Sequence, residues 1–327
     1  MKPFTLARPH SGIEAIQAFK SREGGAYIGG GTSLVDLMKE NVLSPSLLVD
    51  INALPFDKVE QDGDKVRIGA LVRNSDLAEH PLIRERYPML SEALLSGASQ
   101  QLRNAATVGG NLLQRTRCYY FRDSASPCNK RAPGSGCAAI EGYNRIHAVL
   151  GCSEQCIATH PSDMCVALAA LDAVIHVKGS SGERAIAFDD FYLLPGKTPQ
   201  RETALEHGDL IMSVELPEMP FARNSRYIKV RDRASYEFAL SSAAAALDIK
   251  DGIIGDSRLA LGGIATKPWR AHEAERVLKG AKPDAATFEK AADAELKSGK
   301  ASRFNGFKIE LAKRTIVRAL SDAGRTA

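Results

Sequence analysis

Residues 117–156, RCYYFRDSASPCNKRAPGSGCAAIEGYNRIHAVLGCSEQC, hold five of the six cysteines of the chain. Loops beyond roughly 12–15 residues are usually functional or disordered. This one is poor in apolar anchors, so whatever orders it must involve the thiols. Four arrangements compete. Disulfides suit oxidising compartments. A structural zinc site usually shows a close C-x-x-C pair, and there is none. Any single cysteine can be a small buried hydrophobe, but five in one stretch strain that account. An iron–sulfur cluster needs four thiolates, and a folded loop can supply them at wide spacing. The cluster is the favoured reading. Cys118, Cys128 and Cys137 are its strong candidates, the last two placed after the turn-forming runs SASP and APGSG. Cys152 and Cys156 are four residues apart and could face one site, so spacing does not choose between them. Cys165 sits among the apolar residues of a predicted helix and reads as core.

The rest of the chain is ordinary. With 327 residues it exceeds one hydrophobic core and suits two or three packed units. Apolar residues make up 44% and charged residues 25%, with a net charge of +4 and no basic block, which argues against a nucleic-acid partner. The first residues, MKPFTLARPHSGIEAIQAFK, lack the apolar core of a signal peptide, and no run approaches the roughly 18 apolar residues of a membrane span. The expectation is folding in the cytoplasm, with reduced thiols and no membrane insertion.

Periodicity places strands at AYIGG, LLVDI (47–51) and KVRIGAL (65–71), and helix from Leu82 to Leu95 with a break at Pro88. SDMCVALAALDA reads as helix, and VIHV, LIMSVELP and SRYIKVRDR read as strands. A hairpin turns at Asp251-Gly252, and helices follow from Pro268 to the end. Strands and helices mix without strict alternation, which predicts α+β domains. The prolines of PEMPFARNS (217–225) mark the clearest boundary.

Two elements have the chemistry of a phosphate cradle. Gly29, Gly30 and Gly31 lie between a strand and a helix start with Thr32 and Ser33 as cap candidates, so bare backbone N–H groups can approach an anion. The spacing is not that of the Rossmann fingerprint, and PGKT (195–198) lacks the upstream glycine of a Walker loop. Alone, the triplet serves equally as a packing turn. In NAATVGGNLLQ, Thr107 offers a hydroxyl, Gly109 and Gly110 a close backbone approach, and Asn111 an amide; taken alone, this element reads as a bulge closing a sheet. Together the two suit a dinucleotide pyrophosphate held from two sides.

YIGGGTSLVDLMK, LLVDIN, IGALVRNSDL, QLRNAATVGGNL and HPSD, in this order, resemble the FAD-binding subunit of the xanthine dehydrogenase family of molybdenum hydroxylases, as do YIKVRDRASYEFAL and LALGGIATKPWRAHEAE further on. The resemblance runs nearly end to end. It implies the vanillyl-alcohol-oxidase type of FAD fold in two subdomains, residues 1–58 and 59–220, followed by an α+β C-terminal domain of antiparallel sheet and helices, 221–327. FAD contacts would fall on Tyr27, Ile28, Gly29, Gly30, Gly31, Thr32, Ser33 and Leu34, on Thr107, Gly110 and Asn111, on Asp163 and on Lys229. From residue type alone Asp163 is equally a helix cap and Lys229 a solvated charge. Simpler members run directly from the GGN element to PSD, so about forty residues here, near 115–156, are an insertion. Members with this insertion, the periplasmic-type aldehyde oxidoreductases, resemble GCAAIEGYNRIHAVLG and CIATHPSD closely and use the cysteine of CIATH. That implies Cys118, Cys128, Cys137 and Cys156 as ligands of a 4Fe-4S cluster, with Cys152 an extra thiol.

The family scheme implies substrate oxidation at a molybdenum centre in a large partner, electrons passing through 2Fe-2S clusters of a small partner to this FAD, and release to an external acceptor. This chain would then hold no catalytic residue of substrate oxidation, and export could rest on a partner's signal. A stand-alone FAD reductase or oxidase of the same fold would need its own acid or base, and none of the seven histidines shows such a pairing in sequence. A scaffold that has lost cofactor would have no use for intact glycine loops.

Overall fold

The computed structural model describes residues 1–326. Its backbone forms three sheets. The first is parallel, in the order β1 (Thr5–Ala7), β3 (Leu47–Asp50), β2 (Gly25–Ile28). Parallel strands need crossovers: the helix Gly12–Lys20, capped by the Ser11 hydroxyl, which accepts from the Glu14 N–H, leads from β1 to β2, and the helix Leu34–Lys39 leads from β2 to its neighbour β3. Ala15 and Ile16 of that helix bury against Leu47 and Val49. β2 therefore ends at Ile28 in a fixed place, and Gly29–Gly31 emerge from its C-terminal edge before the helix Leu34–Lys39 begins.

The second sheet is antiparallel, with β4 (Val59–Asp62), β5 (Lys65–Gly69), β8 (Leu210–Leu216), β6 (Val174–Gly179) and β7 (Gly182–Ala187) in that spatial order. The segment between β5 and β6 contributes helices Pro88–Ser96, Val108–Leu112 and Asp163–Ala170, which cover the sheet; Leu90, Leu112, Leu168, Ile68 and Val214 share one core. The helical pattern over 82–95 breaks where Pro88 demands it, into Pro81–Arg86 and Pro88–Ser96.

The third sheet runs β12 (Trp269–Arg270), β11 (Ile253–Gly262), β10 (Ser241–Lys250), β9 (Ser225–Val230), all antiparallel. Its hairpin turns at Asp251 and Gly252, both at positive φ, 52° and 73°, as a primed two-residue turn requires. The alanine run of β10 has a packing cause. Ala244 and Ala246 face the core of the second sheet, while Ala243, Ala245 and Leu247 face the helix Phe307–Gly324 with Ile316 and Leu320. Both faces of β10 are covered closely, and only small side chains fit between.

The sequence is thus legible as α+β, and the mixed architecture of one small parallel and two antiparallel sheets agrees. The N-terminal strand and helix had no reading from periodicity, since β1 has only three residues, of which Thr5 and Leu6 are exposed. No described helix is long and apolar enough to cross a membrane.

Candidate functional site: two glycine loops and a thiol cluster

The two glycine elements meet face to face. A side chain at Gly30 would place its Cβ 1.8 Å from the Ala105 carbonyl oxygen, and one at Gly29 would come 3.0 Å from the Thr107 hydroxyl. Gly31 adopts φ +72°, a left-handed conformation that favours glycine. At Gly30 the missing side chain also admits the opposite loop. The second element also departs from the bulge reading. Val108–Leu112 is a short helix, and Thr107 is its N-cap, accepting from Gly110 N–H at 3.2 Å. A clasp that motif reading missed locks the loops together. Asn52 donates to the Gly29 carbonyl (3.1 Å); Arg73 donates to Asn52 Oδ1 (3.2 Å) and to the Ala105 carbonyl (2.6 Å). Both residues stand in quoted motifs, LLVDIN and IGALVRNSDL, so their positions were visible but their partners were not.

Two cavities open beside this junction. One, about 180 Å³, is walled by Tyr27 through Leu34, Thr107, Gly110 and apolar Leu37, Leu43 and Leu210. The other, about 380 Å³, is walled by Thr32, Ser33, Gly110, Asn111, Asp163 and Lys229. Thr32, Ser33 and Gly110 belong to both walls, so the cavities adjoin. Every residue expected to contact FAD lines one or both. An elongated ligand with a charged middle and flatter ends fits such a pair, with backbone N–H groups at the join.

Asp163 is the first residue of its helix; the cap is Ser162, whose hydroxyl accepts from Cys165 N–H. The carboxylate accepts from Tyr227 Oη (2.6 Å) and from Lys229 Nζ (2.8 Å), and Lys229 also donates to the Ser96 carbonyl (3.0 Å). Lys229 is only 4% exposed at its side chain, so the solvated-charge reading is corrected: it is the buried partner of Asp163. Burial first, and the neighbouring carboxylate second, push the Tyr227 hydroxyl well above its usual range, which keeps it a donor. Asn111 Oδ1 accepts from Ser162 and Gln114, and the residue lines the second cavity.

The cysteine segment packs as its own small cluster. Cys118, Cys128 and Cys156 are buried, Cys137 and Cys152 half-buried, around Phe121, Ala139, Ile157 and Leu37. All six thiols are free. Cys128 and Cys137 pair across an isolated antiparallel bridge. Burial pushes the Cys118 thiol up to about 12, with Cys128 and Cys156 near enough to add to the shift. Cys156 is raised by burial and by Cys137 and Cys128, against the lowering effect of Lys130. Burial raises the Cys137 thiol, with Cys128 adding to the shift, and pushes Cys152 up to about 11, with Cys156 adding; the Cys152 Sγ donates to the Ala148 carbonyl at 3.3 Å. Cys165 is wholly buried, 3.1 Å from the Tyr192 hydroxyl, as a core residue should be.

Among the described residues no group of three or more His, Cys, Asp or Glu could hold a single metal ion. A cuboid cluster is gripped at its corners, so its ligands stand apart around it instead of meeting at a point. The donor set suits such a centre. Thiols held protonated by burial become ligands only where metal charge offsets desolvation. The flanking cations divide by role. Lys130 and Arg115 share Glu202, at 2.8 and 2.5 Å, and Arg131 donates to the Tyr120, Phe121 and Ser126 carbonyls, tying the segment together. Arg117 holds Asp36 at 3.3 Å and lines the larger cavity.

A fold of this kind, with adjoining cavities at a double glycine junction, is that of a flavin-cofactor subunit. Residues 2–219 match the family model described as FAD binding domain in molybdopterin dehydrogenase, and residues 226–323 match that of the CO dehydrogenase flavoprotein C-terminal domain. The chain belongs to the molybdenum hydroxylase family, as its FAD-binding subunit. It is 51% identical over 99% of both chains to the aldehyde oxidoreductase FAD-binding subunit PaoB of Escherichia coli (strain K12). It is 29% identical to the glyceraldehyde dehydrogenase medium chain of Sulfolobus acidocaldarius, over 85% of this chain and 82% of that one. In fold it matches a carbon monoxide dehydrogenase chain from Hydrogenophaga pseudoflava with a TM-score of 0.78 at 24% identity, covering 100% of this chain and 99% of that one.

Proposed function

We propose that this chain is the electron-transfer subunit of an aldehyde-oxidising molybdenum hydroxylase, carrying FAD in the two adjoining cavities and a 4Fe-4S cluster on Cys118, Cys128, Cys137 and Cys156. Its partners are a large molybdenum-cofactor subunit and a small 2Fe-2S subunit, and its product is reduced external acceptor. One observation carries this reading. The segment from Thr107 to Cys118 runs unbroken from the wall of the cavities into the thiol cluster, so one stretch of chain serves both cofactors.

Bound FAD supplies chemistry that side chains cannot, taking electrons singly and releasing them in pairs. The residues position and enclose it. Gly29, Gly31 and Gly110 bring backbone N–H groups to the join of the cavities, where Thr32, Ser33 and the Asn111 amide add polar contacts. Asp163, already fixed by Tyr227 and Lys229, keeps acceptor capacity towards hydroxyls of the ligand. Lys229 places a desolvated cation at the far wall of the larger cavity. Tyr27, Leu37, Leu43 and Leu210 make the smaller cavity apolar enough for a flat ring.

The family kinship to an aldehyde oxidoreductase subunit, at 51% identity over nearly the whole chain, supports the substrate class of the complex. Purification of the chain with whatever subunits accompany it, followed by absorption spectroscopy and metal counting, tests the reading. Flavin bands with a broad iron–sulfur shoulder are expected, together with about four irons per chain beyond those of the small partner's 2Fe-2S clusters. Flavin without iron on this chain would leave a simple flavoprotein, and neither would leave a scaffold.

A further inference from the structure

A histidine stands directly against one of the expected cluster ligands. His147 Nε2 lies 3.0 Å from Cys118 Sγ. Among the described residues no other side chain is hydrogen-bonded to any of the four expected ligand sulfurs; Cys156 Sγ accepts from a backbone group, the Ala158 N–H, at 3.5 Å. The imidazole is buried, and among the described residues its Nδ1 has no partner. Cys118 Sγ is therefore the one polar group that the ring meets.

The backbone that carries the ring is fixed from both domains. His147 N–H donates to the Asn144 carbonyl at 3.0 Å, and its own carbonyl accepts from Asn305 Nδ2 at 3.3 Å and from Lys308 Nζ at 3.1 Å. Lys308 is wholly buried, which an ammonium tolerates only when its donors are met. It gives the other two to the carbonyls of Ile146, at 3.0 Å, and Gly263, at 2.5 Å. Asn305, equally buried, also donates to the Ala148 carbonyl at 3.1 Å. Two buried polar side chains of the C-terminal domain are thus committed to the backbone of residues 146–148. The polar side-chain group that this backbone presents to the thiols is the imidazole of His147.

We propose that His147 is a positioning residue for the iron–sulfur centre: it donates its Nε2–H to the Cys118 sulfur when that sulfur is a thiolate ligand, and so raises the potential of the cluster. The inference rests on the proposed 4Fe-4S reading of the four cysteines. A thiol sulfur is a weak acceptor, whereas a charged sulfur makes a stronger hydrogen bond. The contact therefore gains most when Cys118 is ligated. Hydrogen bonds to ligand sulfurs are one of the means by which a protein sets a cluster's potential. Reduction adds negative charge that the ligand sulfurs share, so a donor beside one of them favours the reduced state. Burial strengthens the bond, because no water competes for it.

The test uses the full chain with its accompanying subunits. His147→Phe keeps a ring in the site and removes the donor; His147→Gln removes the ring and keeps an N–H at similar reach. Both are counted for FAD and iron and titrated with redox mediators, following the four-iron paramagnetic signal and the flavin absorbance separately. Expected are full cofactor contents in both variants and a fall of the cluster potential in His147→Phe by about tenfold in the reduction equilibrium, about 59 mV for a one-electron couple. His147→Gln should recover most of that fall. The flavin potential should stay where it is, since His147 lines neither FAD cavity. An unchanged cluster potential in His147→Phe overturns the inference. Equal falls in the two variants also overturn it, since they mark packing and not donation, and so does equal loss of iron, which marks a structural brace. Wild-type protein without four irons on this chain would instead overturn the reading on which the inference rests.

Discussion

The glycine junction and the cysteine segment are adjacent in sequence and opposite in construction. At the junction almost every polar group already has a protein partner: Thr107 caps, Asn52 and Arg73 clasp, and Gly30 admits Ala105 with no room to spare. The cavities are therefore shaped before a ligand arrives. The cysteine segment has two four-residue helices, Tyr119–Arg122 and Ala138–Glu141, two isolated bridges within it and a third from Leu150 to Ala265. Its core is small, and five of its fourteen residues are cysteines. One region is preorganised by backbone packing, and the other is held by side-chain ties and, on the proposed reading, by metal. Losing the ligand should cost the first its function and the second its order.

The largest effect is expected where that contrast is broken from the thiol side. Cys118→Ser, Cys128→Ser, Cys137→Ser and Cys156→Ser should each lose iron and become protease-sensitive between 115 and 160 while FAD largely remains, because binding free energy is folding free energy where no site exists in the unfolded chain. Cys152→Ser should keep its iron, since the proposed fourth ligand is Cys156 and the Cys152 Sγ is hydrogen-bonded to the Ala148 carbonyl. Iron lost from Cys152→Ser and kept in Cys156→Ser would reverse the assignment.

Next comes the junction. Gly30→Val drives a Cβ into the Ala105 carbonyl, and the expected outcome is a steep loss of folded yield and of FAD together. A folded variant with wild-type melting would show that the loops are softer than this packing implies. Gly110→Ala separates ligand from fold, because its Cβ would meet only the Thr107 hydroxyl, at 3.0 Å. It should weaken FAD binding by isothermal titration with only a small change in melting temperature.

Thr107→Val removes the cap of Val108–Leu112, a loss of about 0.5–2 kcal/mol in stability, together with a hydroxyl at the cavity wall. Both denaturation midpoint and FAD affinity should fall, each modestly. Cys165→Ala should keep both cofactors and cost about 1 kcal/mol in chemical denaturation, since it trims one sulfur from a helix core.

The smallest effect is a pH dependence. His147 is 1% exposed, 3.0 Å from Cys118 Sγ, and burial lowers its pKa to about 4. A base whose folded pKa lies below its unfolded value binds more protons when unfolded, so stability is full above about 6.5 and is lost as pH falls from there towards 4. In the iron-free chain, melting measured across that window should drop with acid, and His147→Asn should flatten the drop. An unchanged slope would remove His147 from the account.

How much of this was legible before the structure depended on where the information lies. The strand–glycine–helix order at Tyr27–Leu34, the hairpin at Asp251-Gly252 and the proline break at Pro88 are local, and local chemistry announces them. The cavity walls at Thr107 and Asn111 were visible as residue types, but the short helix that Thr107 caps was not, because two glycines in five residues argue against helix until the Thr107 hydroxyl and the packing on Ala70 outweigh propensity. Lys229 was misjudged because strand periodicity places a side chain on a face without naming its partner, and Asp163 lies 66 residues away. Asn52 and Arg73 failed to stand out for the same reason, since a clasp between two loops has no spacing. The thiol crowd was the reverse case, conspicuous in sequence, while the choice of Cys156 over Cys152 came from the resemblance and not from spacing.

The central claim is that one chain holds a flavin and a thiolate-bound iron centre side by side. Its most direct test is metal and flavin counting on the purified chain, paired with low-temperature electron paramagnetic resonance of the reduced protein, for the wild type and for Cys128→Ser. One FAD and one four-iron cluster per chain are expected in the wild type, with the four-iron signal gone and FAD kept in Cys128→Ser. A chain that binds FAD fully but carries iron no better than Cys128→Ser would contradict it.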